Sequence, residues 1–163
     1  MAMIRGKIWW AKILGEPQPG YDPGKTEWSF DISIDEHNRG ILEELDMLDK
    51  IKQEKKPSDR GDFVQFKRNG TKRDPNNPTQ QIPAKPIEVV SNVRTPDGKG
   101  WEPWDRDVLI GNGSVVNVMF TVNEGEYRGK PYRKLSPIKV QVVEHVEVEP
   151  REDFPADDDF EDS

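Results

Sequence analysis

Cysteine is absent from the 163 residues, and histidine occurs only twice, as His37 and His145. Without cysteine there are no disulfides and no thiolate metal sites. The two histidines fall on different segments with no H-x-x-x-H or H-E-x-x-H spacing, so neither marks a metal site. Apolar residues are also scarce, 33% against 34% charged, which calls for a small core and extensive loops. No apolar run approaches the roughly 18–20 residues that span a bilayer. The opening MAMIRGKIWW lacks the long apolar stretch of a signal peptide. A soluble intracellular protein with no membrane partner is expected. The phosphate-loop, dinucleotide and nucleophile-elbow motifs are all missing, and Glu43, Glu44, Asp46 and Asp49 fit the solvated face of a helix. No catalytic residue, metal or cofactor is assigned, and an enzyme is not expected.

What the chain does have is charge sorted by position. Residues 147–163 hold nine carboxylates and one cation, Arg151, whereas residues 1–146 hold 23 Lys+Arg against 22 Asp+Glu. The net charge of −7 is therefore a body of +1 and a tail of −8. A body of 1–146 fits one domain. The tail, with Pro150, Pro155 and the Asp157–Asp159 run, suits neither helix nor strand and is expected to be disordered. Overall acidity argues against a nucleic-acid partner only when the folded body carries it, and here the body does not.

Along the body, residues 3–14 read as a strand rich in Ile and Trp, ending at the Pro- and Gly-bearing run 15–24. Residues 27–34 alternate, with Trp28, Phe30, Ile32 and Ile34 on one face and Glu27, Ser29, Asp31 and Ser33 on the other. Val116, Val118, Phe120 and Val122 share a face of 115–122, as do Ile138, Val140, Val142 and Val146 in 138–148. Residues 62–68 and 86–90 are weaker strand segments. One helix is expected, capped by Asp35, with Ile41, Leu42, Leu45, Leu48 and Ile51 at helical spacing, cations over 52–56 near its C-terminal end, and Pro57 as its stop. Three segments read as long loops: 69–85, 94–107 and 123–134. Five or six bent strands with one inserted helix suit a small closed barrel.

Single strands of nucleic acid expose base faces beside phosphates, so a general binder needs planar side chains next to cations. The planar candidates are Trp9, Trp10, Trp101, Trp104, Tyr127 and Tyr132. The cationic ones are Arg5, Lys7, Lys12, Lys67, Arg68, Lys72, Arg73, Arg128, Lys130, Arg133 and Lys134. Neighbouring residues of a strand face opposite ways, so one of Trp9 and Trp10 is expected in the core and the other outside. Trp101 and Trp104 could equally cap the barrel.

These segments run in a recognisable order: W-S-F-D-I-S-I (28–34), one helix, F-V-Q-F-K-R (63–68), I-E-V-V (87–90), D-V-L-I-G-N-G-S-V-V-N-V (107–118), a Tyr-bearing basic segment, I-K-V-Q-V-V-E-H-V (138–146) and the acidic tail. The order resembles the single-stranded DNA-binding proteins of T7-like and related tailed phages over nearly the whole chain. That resemblance implies an OB-fold, a five-stranded barrel binding single strands without strong sequence preference, with the Tyr127–Lys134 segment and Arg5 or Lys7 at the DNA. It also implies a tail that competes for the DNA groove. Through Asp157, Asp158, Asp159, Phe160, Glu161 and Asp162 the tail would meet replication proteins such as DNA polymerase and helicase-primase, in the cytoplasm of an infected host cell. Family tails often finish on an aromatic residue, whereas this one ends Phe160-Glu161-Asp162-Ser163. Self-association as a homodimer stays open. So does an RNA-binding OB module, since no residue reports a 2′-hydroxyl contact. An acidic DNA-mimic inhibitor would need an acidic body, and a nuclease a clustered metal site.

Overall fold

The computed structural model describes residues 1–20, 24–54 and 59–148. The acidic tail, Asp157–Asp162 included, lies outside the described residues except for Glu147 and Val148. Ten strands and one α-helix follow in the order β1 (Ala2–Lys12), β2 (Gln18–Pro19), β3 (Thr26–Ser33), α1 (Glu36–Glu44), β4 (Phe63–Asn69), β5 (Thr71–Asp74), β6 (Asn77–Pro83), β7 (Glu88–Arg94), β8 (Trp101–Pro103), β9 (Val115–Tyr127) and β10 (Lys130–Glu144). The chain is mainly β with one inserted helix, as the sequence pattern implies.

Eight strands form one sheet in the order β2-β3-β1-β9-β10-β7-β8, with β4 paired to the other side of β3. The five long strands β1, β3, β4, β9 and β10 wrap a common core. Alternation places Ile4 and Ile8 of β1, Trp28, Phe30 and Ile32 of β3, and Val116, Val118 and Phe120 of β9 inside it. Phe30, Phe66 and Phe120 meet there, with ring centroids 5.1 and 5.4 Å apart. The sheet curls until β4 and β10 approach within 8 Å Cα to Cα. Arg68 bridges that seam, donating to the backbone oxygens of Lys85 (2.7 Å) and Pro137 (3.4 Å). No β-ladder joins β4 to β10 among the described residues.

Two local expectations are corrected. Asp35 caps α1 by accepting from the Asn38 N–H at 2.8 Å, but the helix ends at Glu44 instead of running on to the lysines. Asp46 takes a left-handed φ of 57°, which no continuing helix allows, and a 3-10 turn at Leu48–Lys50 follows. Lys52 consequently bridges to Phe63 beside β4 and has no helix end to neutralise. The segments read as loops carry paired strands: 69–85 folds as the β5–β6 hairpin, 94–107 contains β8, and 123–134 is the far end of the β9–β10 hairpin. That hairpin closes on Arg128 and Gly129, both at positive φ (53° and 78°), the two-residue turn whose twist matches the flanking strands.

Candidate nucleic-acid interface

Register fixes what the outer face of the β1-β3-β4 sheet displays. Ile8, Ile32 and Val64 form one inward row. The next row, outward, aligns Trp9, Asp31 and Gln65, and beyond it Lys12, Ser29 and Lys67. An aromatic ring and cations thus sit side by side on one sheet face.

Trp9 and Trp10 depart from the expected alternation. Trp10 has a φ of 49°, and the β1–β3 register shifts between Trp9 and Lys12. This bulge keeps Trp10 out of the core, where a regular strand would have sent it. Neither indole belongs to the core, and the two ring centroids are 6.1 Å apart. Trp9 donates its indole N–H to Ser33 Oγ at 2.8 Å, while Trp10 is 51% exposed. Asn112 Oδ1 accepts the Trp10 backbone N–H at 2.7 Å and so holds the bulge. The Arg60 guanidinium lies 4.8 Å from the Trp10 ring centre and 3.7 Å from that of Phe63.

Among the described residues, three cavities lie along this face. One is bounded by Arg5, Lys7, Ser33 and His37, and the next by Trp10, Lys12, Asp31, Arg60 and Gln65. The third is bounded by Asp49, Lys50, Lys52, Gln65, Lys67 and Lys134. Gln65 borders both of the last two, which are therefore adjacent. Tyr132 lies two residues before Lys134 on β10, so it projects from the same side of that strand. Its ring occupies the space that a Cβ on Gly125 would fill. Tyr127 is 65% exposed at the hairpin tip with Arg128 5.3 Å from its ring, next to the exposed Lys130.

Other candidates are placed elsewhere. Trp104 packs on the core, donates to the Val108 oxygen at 2.9 Å and meets the His145 ring edge-on. Trp101 lies under Arg94 on the β7–β8 arm, 4.1 Å from its guanidinium carbon. Lys72 and Arg73 sit on the separate β5–β6 hairpin. Arg5 lines a cavity, but its Nε donates to Asn117 Oδ1 at 2.7 Å, the first link of a chain through Gln141 to the Ser91 oxygen. Lys50, Lys52, Arg60 and Gln65 are the residues that sequence reasoning missed. Gln65 was legible, because it precedes Lys67 by two on an alternating strand.

Arg133 is occupied by the protein itself. It donates to the backbone oxygens of Leu45 (2.7 Å) and Asp46 (3.0 Å), satisfying carbonyls where α1 ends and tying the helix to the β9–β10 hairpin. Arg133→Ala is expected to lower unfolding stability by about 1–3 kcal/mol, as loss of charged hydrogen bonds does. A denaturant melt would measure this. The salt dependence of nucleic-acid binding should stay as in the parent, and a flattened slope would return Arg133 to the phosphate contacts.

The architecture is an OB-like sheet with one helix inserted among the described residues. Neither a family model nor a characterised protein matches the chain by sequence. Among solved structures, gp2.5, the single-stranded DNA-binding protein encoded by bacteriophage T7, matches with a TM-score of 0.53 at 17% identity, over 93% of this chain and 91% of that one. The single-stranded DNA-binding protein from bacteriophage Enc34, in complex with ssDNA, matches with a TM-score of 0.55 at 11% identity, over 89% and 88%. Its C-terminal truncation gives 0.54 at 10%. These likenesses establish the fold. Among the described residues no helix is long and apolar enough to cross a membrane.

Proposed function

We propose that the chain binds single-stranded DNA along the outer face of β1, β3 and β4, stacking bases on Trp10 and holding phosphates with Lys7, Lys12, Lys52, Lys67 and Lys134. The observation that carries this reading is the exposed indole held at a bulge, its cavity adjoining a lysine-lined one, on a fold shared with proteins of that function. Stacking tolerates sequence because every base has a π face, so binding is broadly non-specific. A role in phage DNA replication and recombination follows for a protein that coats exposed strands. The −8 segment 147–163 follows β10 in the chain, and a polyanion tethered to its own protein acts at high effective concentration. In this proposal it competes with DNA for those cations and, when displaced, is free to meet replication proteins such as a polymerase or helicase-primase.

Titrating fluorescent oligo-dT and a duplex of equal length into the full chain and into a variant lacking 147–163 tests both layers. Single strands should bind and duplex should bind far more weakly. The deletion should tighten oligo-dT binding at low salt, a gain that shrinks as salt screens the tail. Indifference to strandedness would sink the binding proposal, whereas unchanged affinity in the deletion would sink only the competition.

A further inference from the structure

The cavity beside Trp10 differs in chemistry from the lysine-lined one it adjoins. About 320 Å³ in volume, it is lined by Trp10, Lys12, Ser29, Asp31, Arg60 and Gln65. That is near the lower size of small-ligand sites, about 300 Å³, and ample for one nucleobase. Asp31 is only 7% exposed, and its Oδ2 accepts from Arg60 Nη1 at 2.6 Å. Glu54 pairs with the same guanidinium. Oδ1 of Asp31 carries no hydrogen bond among the described residues. Burial pushes the Asp31 carboxyl above its ordinary value, with the Arg60 hydrogen bond and charge pulling the other way.

Arg60 is paired with Asp31 and Glu54, and the exposed Lys12 can hold a phosphate of the strand while the neighbouring base meets the carboxylate. Bases differ in what they offer a carboxylate. Cytosine presents the N4 amino donor, whereas thymine presents the O4 acceptor at the equivalent place. We infer that this cavity is a base-reading subsite within an otherwise sequence-tolerant interface, where Asp31 accepts from the cytosine amino group while Trp10 stacks on the ring. Thymine is disfavoured there because its O4 meets the same carboxylate. Gln65, paired in register with Asp31, brings an amide that can donate to the cytosine ring acceptors. The inference rests on the single-strand reading and adds a preference to it.

The test uses the full chain and three oligonucleotides of equal length: all dT, dT with one central dC, and dT with one central N4,N4-dimethyl-dC. A single dC should tighten binding by about tenfold, within the range of one well-formed base contact. Dimethylation removes the donors and should abolish the gain. Asp31→Ala, which removes the acceptor, should bind all three alike. Equal affinity of the parent for the dT and dC oligonucleotides would overturn the subsite, and so would a dC gain that survives dimethylation or Asp31→Ala. The dimethyl comparison needs only the parent protein, so it decides the matter even if the variant does not fold. Failure to bind any of the three would overturn the single-strand reading itself, and the subsite with it.

Discussion

Replacing Lys52, Lys67 and Lys134 together with glutamine is expected to weaken single-strand binding by about two orders of magnitude at ~0.05 M salt. The three come from different parts of the chain: the segment after the 3-10 turn, β4 and β10. They converge on one cavity with Lys50, where Asp49 is the one carboxylate among the described lining residues. Lys52 reaches Gln65 at 3.4 Å, and Lys67 lies 3.7 Å from Glu27. Exposed pairs of that kind contribute only about 0–1 kcal/mol, so the lysines can exchange these partners for phosphates. Each phosphate neutralised on a single strand adds about 0.7 to the slope of log affinity against log salt. The triple variant should therefore flatten the slope by about 2. All three side chains are exposed, so the thermal midpoint should hold within a few degrees and the loss would belong to binding. An unchanged slope would move the phosphate track off this cavity.

How much of this was legible in the sequence depends on whether a signal was local. Alternation in 27–34 and 115–122 gave the core because one face of each strand is apolar, and Trp28, Phe30, Val116, Val118 and Phe120 are all buried. The β5–β6 hairpin and the far ends of β9 and β10 left no such trace. Residues such as Lys72, Gln80, Glu124 and Glu126 are exposed, and a two-sided polar strand carries no period to read. The helix start was legible at Asp35, but its end was not, since Leu48 and Ile51 keep helical spacing across a turn set by the backbone of Asp46. At the candidate interface, rings and cations were legible as residue types. Their company was not. That Trp9, Asp31 and Gln65 form a row, or that Lys52 and Lys134 line one cavity, depends on register and curl between segments far apart in sequence.

Replacing Trp10 with alanine is expected to cost about 1–3 kcal/mol of single-strand binding, the contribution of one stacked base. Trp10 is a bulky residue at positive φ, a conformation that costs on the order of 1–3 kcal/mol and tends to be kept at functional sites. Here the Asn112 side chain sustains it, and the result is an indole turned toward solvent beside Lys12 and Arg60. Arg60 also lies over the Trp10 ring, but the other four tryptophans are less exposed. Trp28 is buried and bonded to the Gly15 oxygen, Trp9 is bonded to Ser33, Trp104 to the Val108 oxygen, and Trp101 is covered by Arg94. Trp10 should therefore supply most of the fluorescence quenching seen on adding oligo-dT. Trp10→Phe separates the two roles of the ring, because phenylalanine keeps a stacking face and loses the fluorophore. Affinity should stay within a few-fold of the parent while most of the quenching disappears. If Trp10→Ala binds as the parent does, or if Trp10→Phe retains full quenching, the bases stack elsewhere, and exposed Tyr127 and Tyr132 on the β9–β10 hairpin become the platform to test.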